Sequence, residues 1–141
     1  MVAQGRDACF ATSNINVGTS SCHGIFSCQF VKDSTIDNLS CHGNSACFKV
    51  NDSTIGGGSC LGDEVCHNMR NVIIGKGSCS STDGYSCAGS ENVKIGNNSC
   101  NGGGVCQECD RDVPDNACNL GFKSDIKDGY CRYCGVPPKK K

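Results

Sequence analysis

Tryptophan is absent from this sequence of 141 residues, and leucine, proline and tyrosine occur only three times each. Leu, Ile, Val and Phe together make 26 residues, under a fifth of the chain. So little apolar volume cannot offset the entropy of ordering the backbone through an oily core alone. No apolar run approaches the roughly 20 residues of a membrane span. Neither sign of charge dominates: 13 Lys and Arg face 14 Asp and Glu, for a net charge of −1. That balance excludes the electrostatic footprint of a nucleic-acid or acidic-lipid binder. The opening MVAQGRDACF lacks the apolar stretch of a secretion signal. An oxidised chain without one is expected to be a mature fragment, an excerpt of a longer protein, or a product of another oxidising route.

What is abundant is cysteine, 15 residues, and glycine, 19 residues. This is the composition of a disulfide scaffold working in an oxidising, extracellular or surface-exposed compartment. The cysteines alternate in two classes. Cys22, Cys41, Cys60, Cys79 and Cys100 form the first; Cys9, Cys28, Cys47, Cys66, Cys87 and Cys106 form the second. From second class to the next first class the step is always 13 residues; from first to second it is 6, except 8 between Cys79 and Cys87. The period is therefore 19, with one repeat of 21.

Other columns keep this register. Eight residues after each second-class Cys stands Val17, Ile36, Ile55, Ile74 or Ile95, and five after it Asn14, Asp33, Asp52, Asn71 or Asn92. A serine precedes each first-class Cys (Ser21, Ser40, Ser59, Ser78, Ser99), and Gly24, Gly43, Gly62 and Gly102 follow by two, with Ser81 in the long repeat. A 19-residue unit is too short for a helix pair, and helix formers are scarce. The expectation is an all-β fold, a disulfide-stapled β-solenoid of about six 19-residue coils with a Cys-rich C-terminal cap. At about 4.8 Å per coil the rod would be about 30 Å long. The aliphatic column faces inward. The Asn/Asp column suits a corner that tolerates left-handed dihedrals; a cation between Asp33 and Asp52 is disfavoured because Ca²⁺ needs more oxygens. The 13-residue step holds the strand and corners. The 6-residue step is a bulging loop, which explains why CSSTDGYSC alone tolerates two extra residues.

Two disulfide patterns fit this register. The favoured one pairs cysteines within the short step: Cys22 with Cys28, Cys41 with Cys47, Cys60 with Cys66, Cys79 with Cys87, and Cys100 with Cys106. The other pairs across the 13-residue step and uses Cys9. The first leaves Cys9 unpaired or available to another chain, because Ala3 stands where its partner would be. Cys109, Cys118, Cys131 and Cys134 are expected to form two more disulfides. Repeats fill residues 1–106, a degenerate coil caps them over 107–135, and 136–141 is a basic tail. CQEC and CRYCG have zinc-ribbon spacing, but Cys106 belongs to the repeat register, so no metal or other cofactor is expected.

Little points to catalysis. His23 and His42 share a column as loop residues, and Asp63 and Glu64 are neighbours in one loop rather than a pair flanking a substrate. Disulfide-bonded cysteines cannot act as nucleophiles. The Thr column that an ice-binding solenoid would need reads Asn16, Thr35, Thr54, Ile73 and Lys94, which is irregular. The sequons at Asn38, Asn51 and Asn97 are glycosylation candidates in a secreted chain. Asp83 and Tyr85, in the long loop, are binding-loop candidates.

The unit IG-x-x-SC-x-G-x-x-x-C, as in IGGGSCLGDEVC and IGNNSCNGGGVC, resembles the cysteine-rich repeats common in secreted proteins of diatoms and other marine algae, and arrays in some viruses of such algae. The resemblance covers residues 9–106; the long repeat and Ala3 depart from it. It implies an extracellular or surface-exposed scaffold, with a virion exterior among the settings. The expected function is a non-catalytic structural or adhesive module that self-assembles or sits in a larger surface complex. The alternative is a glycan- or receptor-binding module using the loop 80–86. Neither a nucleic-acid partner nor a membrane span is expected.

Overall fold

A residue column that repeats every 19 positions can be buried only if successive turns of the chain stack in register, and that is the architecture. The computed structural model describes residues 5–6, 8–82, 84–109 and 112–119. Five two-residue strands, β1 (Asn16–Val17), β2 (Thr35–Ile36), β3 (Thr54–Ile55), β4 (Ile73–Ile74) and β5 (Lys94–Ile95), form one parallel sheet in sequence order. Val17 lies beside Ile36, then Ile55, Ile74 and Ile95. No helix occurs among the described residues. The fold is the disulfide-stapled all-β solenoid that the periodicity implies.

The strands are short because left-handed residues interrupt every coil. Between Ile25 and Cys41 these are Phe26, Cys28, Phe30, Asp33, Leu39 and Cys41, with φ from +47° to +59°. The corner column Asn14, Asp33, Asp52, Asn71 and Asn92 adopts this conformation throughout, as short polar side chains allow. The turns change which way the peptide groups point, so each coil bonds in both directions. Cys22 and Thr35 donate their N–H to Ser40 and Ser53 of the next coil; Asp33 and Leu39 donate to Ser13 and Thr19 of the previous one. The ladder thus runs around the coil, far beyond the two residues counted as strand.

Three kinds of side chain fill the narrow interior. The Ile column is buried, at 0–2% exposure for Ile36, Ile55, Ile74 and Ile95. The same core holds two columns that the sequence reading did not single out: Val31, Val50 and Met69, and Ala46, Val65 and Val105, all buried. The repeat cysteines complete the core, with the ten from Cys22 to Cys106 fully buried. Their pairing is the within-step one: Cys22–Cys28, Cys41–Cys47, Cys60–Cys66, Cys79–Cys87 and Cys100–Cys106.

The serine column has a hydrogen-bonding role. Ser59 Oγ donates to the Gly75 carbonyl of the next coil at 2.7 Å and accepts from the Ser78 N–H at 3.1 Å. Ser40 and Ser78 repeat both contacts one coil on either side. A hydroxyl is the smallest side chain that both donates and accepts, and here it satisfies two buried backbone groups. Ser59→Ala should therefore cost about 1–3 kcal/mol by stranding both groups. Urea titration checks this; a loss within error of zero would mean the ladder adds nothing.

The stack continues past the last repeat cysteine. Val113 bridges Ile95 in parallel, Ser99 Oγ donates to the Pro114 carbonyl, and Cys100 N–H donates to Ala117. Residues 112–119 thus form the start of a further coil, with Cys118 in the first-class position. The remainder of the cap assigned to 107–135, with Cys131 and Cys134, and the 136–141 tail lie outside the described residues.

Candidate functional site

Where the chain leaves a second-class cysteine it turns a corner, and these corners stack into one edge of the rod. The long loop between Cys79 and Cys87 meets this edge. Its two extra residues change the local path: Ser81, in the glycine column, avoids positive φ, whereas Gly24, Gly43 and Gly62 have φ of +135° to +138°. Tyr85 projects from the loop at 48% exposure and packs edge-on against His67, with ring centroids 5.7 Å apart. The Glu64 carboxylate, hydrogen-bonded to the Tyr85 hydroxyl, pushes the phenol pKa up. Asp83, the other loop candidate, lies outside the described residues.

His67 and Tyr85, with Asn68, Gln107 and Glu108, line a hollow of about 250 Å³. Burial lowers the His67 pKa, opposed by the Glu64 charge. Asn68 Nδ2 lies 3.0 Å from His67 Nδ1, which makes that nitrogen the acceptor and leaves the proton on Nε2. His67 Nε2 is buried with no partner. The arrangement offers a donor, a ring face and a carboxylate, a set suited to holding a polar ligand.

At the N-terminal end of the described coils, Cys9 is a half-buried free thiol. Its Sγ and those of Cys22 and Cys28 all lie within 4.8 Å of one another. Both pairings open to the sequence therefore meet here: the Cys22–Cys28 bond exists, and the 13-step alternative, Cys9–Cys22, is one thiol–disulfide exchange away. Burial raises the Cys9 pKa, which keeps the thiol protonated and the exchange slow at neutral pH.

The other candidates fall as follows. His23 and His42 stack face to face, with centroids 4.6 Å apart and planes within 8°. Asp63 accepts from the Asn44 N–H at 2.7 Å, so Asp63 and Glu64 are engaged separately rather than converging. Cys106 is bonded to Cys100 and Cys109 is also disulfide-bonded, so the CQEC pair has no thiolates to offer zinc. Asn38 and Asn97 are exposed, with side-chain oxygens accepting from Thr19 and Lys76 N–H groups. Asn51 is half-buried and its Oδ1 has no partner. Thr35, Thr54, Ile73 and Lys94 point outward along the sheet.

The sequence reading missed the aromatic part of this edge. Phe10, Phe30 and Phe48 meet edge to face along three successive coils, at centroid distances of 6.4 and 5.7 Å. They escaped the column reading because Phe10 and Phe48 stand one residue after their cysteine and Phe30 stands two after.

A protein-family profile described as "Domain of unknown function (DUF7640)" matches residues 2–120. The chain belongs to the DUF7640 family. The match spans the whole described stack, so the 19-residue disulfide coil is part of what the DUF7640 profile covers; it names no algal or viral repeat protein. No curated protein and no solved structure matches. The five disulfides paired among the described residues of this DUF7640 chain point to an oxidising environment, and no helix of the described residues is long and apolar enough to cross a membrane.

Proposed function

We propose that this DUF7640 chain is a structural or adhesive module outside the cytoplasm, a stapled rod that spaces or displays surfaces in a cell coat, matrix, appendage or virion exterior. The observation that carries this reading is the unbroken register of five strands, each coil bonded to its neighbours and locked by its own disulfide. Stacked coils leave sheet edges at their ends that suit head-to-tail or lateral association. Ten repeat cysteines are held in disulfides and Asp63 accepts from a backbone N–H, which fits a structural role. The similarity to algal and viral cysteine-rich arrays fits the same surface setting.

Sedimentation velocity across a wide concentration range, with the disulfides intact, tests this. A structural module should self-associate, or be recovered from its source only within a large complex. A monomer at all concentrations, recovered alone, would overturn the reading. The second reading, a binding module built on the loop 80–86, is favoured by the unpartnered His67 Nε2 beside Tyr85. It requires a ligand whose affinity falls on Tyr85→Ala with the fold unchanged.

A further inference from the structure

A chain this poor in large apolar side chains nonetheless leaves Phe10 57% and Phe30 39% exposed, in contact with each other and, through Phe30, with Phe48. Scattered exposed apolar residues are ordinary; a contiguous row along one edge marks an interaction surface. Beside the row lies a groove of about 380 Å³, with Phe30 as its aromatic wall. Lys32, Lys49 and Arg70 bring three cations to it, and Asp33 and Asp52 two carboxylates. Among the described residues Lys32 and Lys49 have no ion pair; Arg70 meets Glu91 at 3.5 Å where both are solvated, a contact worth little. Lys49 Nζ sits 5.3 Å from the Phe48 ring centre, which orders the ammonium at the groove's rim. Asn51 also lines the groove, and its Oδ1 is buried without a hydrogen bond.

This mixture selects among ligands. A ring face flanked by carboxylate oxygens fits a sugar: the C–H face of a pyranose covers the phenyl ring, and its hydroxyls donate to Asp33 and Asp52. Lys32 and Lys49, in no ion pair among the described residues, present ammonium groups that fit an anionic substituent on the sugar. Single-stranded nucleic acid also uses aromatics and cations, but the DNA backbone offers no hydroxyl donors to Asp33 and Asp52. The rod adds a match of period. One coil advances about 4.8 Å, close to the advance of one pyranose in an extended β-1,4-linked chain, so Lys32 and Arg70, two coils apart in one stacked column, lie about two sugars apart along the rod axis.

We propose that this groove binds a linear anionic polysaccharide of the uronate class, laid along the rod with Phe30 against a sugar face and Lys32, Lys49 and Arg70 on its carboxylates. The site gives the adhesive reading a partner, but its test does not depend on self-association. The full oxidised chain, produced in a non-glycosylating host so that Asn51 is bare, is titrated by calorimetry with a β-1,4-linked oligohexuronate, its carboxyl-reduced counterpart and a single-stranded oligodeoxynucleotide. The uronate should bind saturably, more tightly than the other two, and weaken as salt rises. Phe30→Ala should reduce affinity by about tenfold, as should the double variant Lys32→Glu, Arg70→Glu, while Thr54→Ala on the strand face should leave it unchanged. Thermal denaturation of each variant verifies the fold. Absence of saturable binding, equal affinity for the reduced sugar or the oligonucleotide, or a folded Phe30→Ala and a folded charge variant that both bind like wild type would overturn the proposal.

Discussion

Replacing Gly43 by alanine should destabilise the protein by about 4 kcal/mol or more, enough to unfold much of the stack. Gly43 has φ of +138°, a region essentially reserved for glycine. A Cβ there would stand 2.2 Å from the Gly62 carbonyl oxygen of the next coil and 2.4 Å from its carbon. Neither backbone can yield without loss, because Gly43 and Gly62 each donate a 2.7 Å hydrogen bond to the preceding coil, at His23 and His42. Gly58→Ala is the control: its φ is +67° and nothing lies within 4 Å of the added methyl, so about 1 kcal/mol is expected. Equal losses for the two variants in urea titrations would refute the steric argument. Ser81 shows how the chain escapes the requirement: the long repeat alone has a side chain in this column, and there the backbone leaves the positive-φ region.

Deleting one staple should be the next most damaging change. In the double variant Cys60→Ala, Cys66→Ala, the chain-entropy loss is about 2 kcal/mol for so short a loop, and two sulfurs at 0% exposure are removed from the core. A total near 3 kcal/mol is expected. Reducing and alkylating every disulfide should abolish the fold, since the five repeat staples alone, at about 2 kcal/mol each, equal the whole net stability of an ordinary domain. Circular dichroism before and after reduction reads this directly. A stack that survived reduction would mean that hydrogen bonds and the thin aliphatic column suffice alone.

The repeat made the fold legible. Val17, Ile36, Ile55, Ile74 and Ile95 are legible as one inward column because each stands eight residues past a cysteine, and a 19-residue offset can be kept only by stacking. The glycine column was visible, though not its cause, since the approach of Gly43 to Gly62 is a contact between coils rather than a property of one. The columns containing Val50 and Ala46 were hidden by chemical variety: Met69 and Ser90 continue the first, Ser27 and Ser86 interrupt the second. The long loop drew attention to Tyr85 because it broke the pattern. Phe10, Phe30 and Phe48 drew none, because a one-residue offset removed them from any single column, although side chains at a sharp corner reach across such an offset.

All five described disulfides close within a coil, and none joins one coil to the next. Under tension along the rod, therefore, the bonds that yield are the hydrogen bonds between coils, while the covalent loops hold. Each coil peeled from the end releases the 13 residues between one loop and the next, about 40 Å of slack against the few ångströms that the coil occupied in the stack. A tether built this way lengthens in equal steps and dissipates work at each one. The covalent loops stay closed throughout, so every coil keeps the constraint it needs to re-form when the load is removed.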